Sequence, residues 1–137
     1  MVDYVATFKE SFSRVSGEAR QKEFLDSFYD RFIAADEEVA AAFRETDMKH
    51  QKQMLQESLA EMMDFSVTHK SNPYLLTLAR IHGARGRDIS PHMFDLWLES
   101  LIASVREVDP ECNDNVELSW RLVMAPGIEF MKFYRNR

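Results

Sequence analysis

Residues 23–35 read EFLDSFYDRFIAA, and the spacing of their apolar side chains decides the fold class. The side chains of Phe24, Leu25, Phe28 and Phe32 recur at intervals of three and four residues, which places them on one face of an α-helix. That face buries an unusual number of aromatic rings. The stretch therefore predicts an amphipathic helix with an aromatic inner face, running from about residue 18 to residue 35.

The same periodicity continues through the rest of the chain, which has only four glycines and four prolines to interrupt it. It predicts an all-α fold in a single domain over 1–137, with Pro126 bending the last helix. Asn72-Pro73 and Ser90-Pro91 each combine a capping residue with a proline, which is typical of a helix start. Besides 18–35, the predicted helices cover about 4–15, 36–43 (a short helical turn and corner), 47–69, 73–83, 91–108 and 114–134.

Composition and charge exclude several functional classes. The formal net charge is −6, so repulsion from a phosphate backbone argues against a nucleic-acid partner. No apolar run approaches the roughly 20 residues that span a bilayer, and the first residues lack the pattern of a signal peptide. Cys112 is the single cysteine, which fits a reducing compartment. We expect a soluble, cytoplasmic protein without a membrane partner.

His82 is the residue that most needs a chemical explanation. Leu75 and Leu78 precede it by seven and four residues, so its imidazole falls on the buried face of a short helix. One interpretation is a core histidine that is hydrogen-bonded to a neighbour. The other is an axial ligand of haem iron, because a neutral imidazole offers one nitrogen lone pair while its N–H binds a carbonyl.

Three residues on other helices favour the second interpretation. Phe43 follows the aromatic helix, where its ring could stack on a planar macrocycle or simply fill the core. Tyr29 and Gln51 are polar residues on faces that otherwise read as buried, so they need partners. Their O–H and N–H groups could donate to a bound, partly negative gas molecule. Tyr29 could equally be an ordinary buried tyrosine, and Gln51 would face solvent if its helix were shifted by one residue.

In this order along the chain, these residues resemble a globin, and most of all the bacterial single-domain globins and the haem domain of flavohaemoglobins. The resemblance covers essentially the whole chain. Its most specific motif is 28–32, FYDRF, followed eleven residues later by Phe43; the motif 78–82, LARIH, ends on His82. The resemblance also runs through Gln51 with Leu55, through Ile89, Pro91, Phe94 and Trp97, and through Trp120.

The resemblance implies a globin fold of six to eight helices around one haem b, with His82 as the proximal iron ligand. It implies that Tyr29 and Gln51 are the distal gas-binding residues, and that oxygen or another diatomic gas such as nitric oxide is the ligand. The implied role is scavenging, sensing or storage. The walls of the haem pocket would be Phe43, Leu55, Leu78, Ile89 and Phe94.

The chain departs from the flavohaemoglobin pattern in two respects. Phe94 and Arg135 stand where flavohaemoglobins carry a tyrosine and a glutamate near the proximal histidine, so the electron donation of that pair is expected to be absent. The 137 residues leave no room for a flavin and nicotinamide reductase domain, so we expect none here. Nitric oxide dioxygenation or a peroxidase-like side activity would therefore need an external reductase, and the sequence leaves enzyme status undecided.

Two other functions stay open from the sequence. A shift of one position would bring His50 over the iron as a sixth ligand, and Lys49 or Lys52 could compete in the same way; such a protein would suit electron transfer or redox sensing. Alternatively, the chain is a haem-free, globin-like sensor or interaction domain.

Two further expectations concern partners. Arg80, Arg85 and Arg87 could pair with haem propionates or form a solvated basic patch. The last two helices, which carry Trp97 and Trp120, could support a homodimer.

Overall fold

The computed structural model describes residues 1–70, 72–82 and 89–134. In these ranges the chain forms helices and no strand, which confirms the all-α prediction. No helix of the described part combines the length and the apolar character that a membrane crossing requires. The seven helices are α1 (Tyr4–Ser16), α2 (Gln21–Ala35), α3 (Glu37–Phe43), α4 (Met48–Thr68), α5 (Pro73–His82), α6 (Pro91–Val108) and α7 (Asp114–Tyr134).

Short polar side chains fix where most of these helices begin. Asp3, Asp36 and Asp47 each accept a hydrogen bond from a backbone N–H in the first turn of α1, α3 and α4. The amide oxygens of Asn72 and Asn113 do the same at α5 and α7, at 2.8 and 2.9 Å. Each cap satisfies an N–H group that the helix itself leaves without a partner.

Helix α2 begins three residues later than the sequence suggests. The N–H groups of Arg20 and Gln21 both donate to the carbonyl of Gly17, at 3.0 and 2.9 Å, so residues 17–20 form a turn between α1 and α2. The apolar pattern starts only at Phe24 and does not specify the preceding turn. The sequence therefore predicted the helix correctly but placed its start in the preceding turn, three residues too early.

The core lies where α7 meets α1 and α2. Trp120 is completely buried, and its ring contacts those of Phe8 and Phe24, with centroids 4.6 and 5.9 Å apart. The indole N–H donates to the Ser11 hydroxyl at 2.9 Å, and Ser11 donates in turn to the buried carboxylate of Asp109 at 2.6 Å. Three helices and the segment after α6 are thus joined around one tryptophan.

Helix α7 extends from the core around Trp120 to the cavity described below. Val116, Val123, Ile128 and Met131 are all buried, as its periodicity predicts. Pro126 lies inside the helix. The next residue, Gly127, lies so close to α4 that an added Cβ would come within 2.9 Å of two side-chain atoms of Met62. The missing side chain lets α4 and α7 approach each other.

Candidate haem-binding cavity

A cavity of about 480 Å³ is lined by residues from α2 to α7, and this volume lies within the range of small-molecule and cofactor sites. Its lining is mostly apolar. All eight residues that the sequence suggested for a haem pocket lie on its surface: Tyr29, Phe43, Gln51, Leu55, Leu78, His82, Ile89 and Phe94.

His82 is the last residue of α5 and is half-buried at the cavity wall. Its Nδ1 lies 2.8 Å from the carbonyl oxygen of Leu78, one helical turn earlier. A carbonyl accepts only, so Nδ1 carries the proton in this contact and the lone pair of the neutral ring is on Nε2. The backbone carbonyl of His82 accepts a hydrogen bond from the Ile89 N–H at 3.1 Å. The helix therefore sets both the tautomer and the orientation of this imidazole.

Tyr29 and Gln51 contact each other across two helices. The Gln51 Nε2 donates to the Tyr29 hydroxyl at 3.1 Å, and that hydroxyl donates to the Gln51 backbone carbonyl at 3.3 Å. Tyr29 is only 3% exposed, and Gln51 is half-buried on the cavity side of α4. Two groups that can donate hydrogen bonds thus lie together at the wall of an apolar cavity.

Phe43 ends α3 and packs its ring edge-to-face against its neighbours. The ring centroids lie 5.6 Å from Tyr29 and 6.0 Å from Phe32. These contacts orient the Phe43 ring at the cavity wall, where Leu55, Leu78 and Phe94 supply buried apolar surface. A flat apolar molecule would meet mostly rings and aliphatic side chains, with the polar groups of Tyr29, Gln51 and His82 at the same wall.

Four methionines also line the cavity, and two of them, Met54 and Met93, were missed at the sequence level. Met54 lies three residues after Gln51, so helical spacing alone could have found it. Met93 directly precedes Phe94, and no local pattern distinguishes it from a core residue. The other two, Met62 and Met131, are buried on the inner faces of α4 and α7.

The basic residues near the cavity lie in different places. His50 is exposed yet contributes to the lining. The Lys52 ammonium lies 2.7 Å from the Asp26 carboxylate, and Lys49 and Arg80 are exposed and do not belong to the lining. Arg85, Arg87 and Arg135, which the sequence brought into consideration, lie outside the described residues.

An all-α chain that encloses an apolar cavity beside a backbone-anchored imidazole has the architecture of a globin. The family model of bacterial-like globins matches residues 10–124, and the chain belongs to this family. A protein from Pseudomonas aeruginosa PAO1, whose crystal structure is described as structurally highly homologous to a human hemoglobin, is similar throughout. Its sequence is 30% identical, the match covers 97% of this chain and 98% of that one, and the TM-score is 0.90. No curated protein sequence matches.

Membership of this family implies a haem cofactor, and the donor set of the cavity fits one. A neutral imidazole whose Nδ1–H is bound to a carbonyl is the form in which histidine ligates iron. The surrounding wall is apolar and aromatic, which suits a flat macrocycle. The chain therefore has the globin fold, and its family supports a haem-binding globin in general.

Proposed function

We propose that the chain binds haem b with His82 as the proximal ligand of a pentacoordinate iron, and that it reversibly binds oxygen or nitric oxide there. The observation that carries this proposal is the presence in one cavity of an imidazole held by the Leu78 carbonyl and of the Tyr29–Gln51 pair. When bound, the haem iron supplies the coordination site for the gas. The biological role that we propose is scavenging, sensing or storage.

His82 holds the cofactor through a nitrogen whose direction is fixed by α5. The Nδ1–H bond to Leu78 restrains ring rotation and increases the basicity of the other ring nitrogen. A backbone carbonyl is a weaker acceptor than a carboxylate, so this increase is moderate. We therefore assign to His82 an anchoring role rather than strong electron donation.

Tyr29 and Gln51 act as hydrogen-bond donors toward a ligand that carries partial negative charge. The bond that the Tyr29 hydroxyl donates to the Gln51 carbonyl is long for an O–H···O bond, at 3.3 Å, so redirecting this donor into the cavity sacrifices little. The bond that Gln51 donates to Tyr29 has an ordinary N–H···O length of 3.1 Å. A bond to a charged acceptor is worth about 1.5–3 kcal/mol, and two such bonds slow gas release. This favours retention of the gas over rapid delivery.

An absorption spectrum of the purified protein, ferric and after dithionite reduction, with and without carbon monoxide, tests the cofactor. We expect a broad ferrous band that sharpens and shifts with carbon monoxide. Absence of any haem band after reconstitution with hemin would reject the proposal and leave a haem-free interaction domain.

Stopped-flow measurement of oxygen dissociation tests the role of Tyr29 and Gln51, the distal pair. Tyr29→Phe removes one donor and should raise the dissociation rate about tenfold or more, because about 1.4 kcal/mol corresponds to a factor of ten. Tyr74→Phe is the matched control, since the Tyr74 hydroxyl contacts Ser58 at 3.2 Å instead of the distal pair. An unchanged rate in Tyr29→Phe would remove Tyr29 from the mechanism.

His50 supports a second candidate function, because it lines the cavity although it is exposed. As a sixth iron ligand it would make the protein suited to electron transfer or redox sensing. A split ferrous band before any gas is added, lost in His50→Ala, would favour this function. A broad ferrous band in the wild type would reject it.

A further inference from the structure

The helices that carry the distal pair pack mainly on other helices. Helix α2 packs most extensively against α6 and α3, and α4 packs against α7. Side-chain contacts of polar groups nevertheless join α2 directly to α4. These contacts are Gln21 Nε2 to Gln56 Oε1 at 2.6 Å, Lys52 Nζ to Asp26 Oδ1 at 2.7 Å, and Gln51 Nε2 to the Tyr29 hydroxyl at 3.1 Å.

These three contacts join α2 to α4 at successive positions along both helices. Along these three contacts the residue numbers on α4 fall as those on α2 rise, and the Tyr29–Gln51 pair is the last of the three. Lys52 directly follows Gln51 in the chain. Asp26 precedes Tyr29 by three residues, which places both on one side of α2. The Lys52–Asp26 ion pair is therefore the contact next to the Tyr29–Gln51 pair.

The ion pair has the geometry of a specific contact rather than of a chance surface encounter. The Lys52 and Asp26 side chains are 29% and 33% exposed. The second carboxylate oxygen of Asp26 accepts a bond from Lys22 at 2.6 Å, so both oxygens are engaged. Hydrogen bonds from Lys22 and Lys52 lower the pKa of Asp26, which keeps this carboxyl charged at neutral pH.

We propose that Lys52 and Asp26 are positioning residues that set the distance between α2 and α4 and thereby align Tyr29 and Gln51 for gas retention. This inference rests on the proposed function. A hydrogen bond weakens steeply once its donor leaves the preferred distance and angle, so a small relaxation of the helix pair suffices to impair both donors. Removing the Lys52–Asp26 ion pair should therefore loosen the contact between Tyr29 and Gln51 without altering either residue.

The neighbouring Lys22 offers a matched control. Lys52→Met and Lys22→Met each remove one positive charge and one bond to the same carboxylate, but Lys22 lies on α2 itself, four residues before Asp26. We expect Lys52→Met to raise the oxygen dissociation rate of the haem-loaded protein about two- to fivefold, within what a partly exposed ion pair can supply. Lys22→Met should leave the rate close to that of the wild type, and Lys52→Arg, which keeps the charge, should restore it.

Amide hydrogen exchange provides a readout that does not depend on gas binding. In the haem-loaded protein without gas, Lys52→Met should increase exchange at the first turns of α4, around Gln51, while Lys22→Met should not. The carbon monoxide stretching band reports donors near the bound ligand, and it should broaden or split only in Lys52→Met.

Equal dissociation rates and equal exchange in Lys52→Met and Lys22→Met would overturn the positioning role. Failure of the proposed function is distinguishable from this outcome, because it appears as an unchanged oxygen dissociation rate in Tyr29→Phe. In that case the exchange experiment still decides whether the ion pair holds α2 and α4 together.

Discussion

The core around Trp120 and the haem-binding cavity bury polar side chains in contrasting ways. In the core, Asp109 accepts bonds from Ser11 at 2.6 Å and from the Arg14 guanidinium at 2.6 and 2.9 Å. The backbone N–H of Glu111 adds another bond at 2.9 Å. The Asp109 carboxylate is thus surrounded by donors, and dense packing leaves these groups one arrangement.

In the cavity, the contacts of the Tyr29–Gln51 pair are longer, at 3.1 and 3.3 Å, and the pair lies at the cavity wall beside the ring of Phe43. Every buried side-chain nitrogen and oxygen of the described residues has a hydrogen-bond partner. The two regions therefore do not differ in whether their buried polar atoms are hydrogen-bonded. They differ in how tightly the partners hold each other. The polar groups around Asp109 hold a buried carboxylate, whereas under the proposed function those of the cavity would exchange their mutual bonds for bonds to a gas.

The largest expected effect concerns the core. Asp109→Ala leaves the half-buried Arg14 and the buried Ser11 without their acceptor, and should lower the free energy of unfolding by about 3 kcal/mol. Urea unfolding of the haem-loaded protein measures it. Glu111→Ala is the control, since Glu111 lies 3.7 Å from Arg14 but is 72% exposed, and it should cost less than about 0.5 kcal/mol. Equal losses in both variants would show that the buried Asp109 carboxylate contributes no more to stability than an exposed one.

The second expectation is the pH dependence of the same carboxyl. Burial alone would raise the pKa of Asp109, but the hydrogen bonds from Arg14, Ser11 and the Glu111 N–H outweigh it, so the pKa falls below the ordinary 3.8. A lowered pKa in the folded state means that the stabilisation is present above the ordinary value and is lost as the pH falls through the lowered one.

The stability difference between the wild type and Asp109→Asn should therefore be constant above about pH 5 and shrink below about pH 4. Urea titrations across this range measure it. A difference that stays constant down to about pH 2.5 would show that the Asp109 charge does not stabilise the fold.

A smaller effect is expected where the two regions meet. Gly127→Ala pushes against Met62, so either the Met62 side chain, which lines the cavity, or helix α7 must shift. We expect a loss of about 1 kcal/mol in unfolding free energy and faster loss of hemin to a scavenging protein. Met62→Ala should cost less in the Gly127→Ala background than in the wild type, because the new methyl fills part of the vacated space. Additive effects would exclude this contact.

The smallest effect on stability should come from the cavity itself. The double variant Tyr29→Phe with Gln51→Leu removes both polar partners together, so its unfolding free energy should stay within about 0.5 kcal/mol of the wild type. Ser11→Ala, a smaller change in the core, should cost about 1–3 kcal/mol because the Trp120 N–H and Asp109 lose a partner. A double variant less stable than Ser11→Ala would show that the cavity pair is structural.

Local periodicity predicted the helices because each buries one face, and that face recurs every three to four residues. The same reasoning put Tyr29, Gln51 and His82 on buried helix faces, and the globin resemblance joined them with Phe43 in one site. The structure places all four around one cavity. Their roles toward a gas stay predictions. Helical spacing by itself did not decide whether His82 is a core histidine or a haem ligand. The family resemblance supplied the expectation of a haem.

Contacts between distant segments were not predictable from spacing. Asp109 reads as a helix breaker before Pro110, yet its partners Ser11 and Arg14 lie 98 and 95 residues earlier. Lys52 similarly read as a competing iron ligand, while the structure pairs it with Asp26. Both cases depend on how helices cross, and this geometry is decided by the packing of the whole molecule rather than by any local pattern.

The methionines of the lining, Met54, Met62, Met93 and Met131, have a consequence for selectivity. A thioether side chain has three rotatable bonds and a polarisable sulfur, so it adapts to the surface that it meets. Under the proposed function, such a wall would admit related flat macrocycles with different edge substituents at similar cost. It would discriminate little among porphyrin rings, and selection of the metal would fall to the His82 nitrogen, which needs a metal that accepts an imidazole ligand.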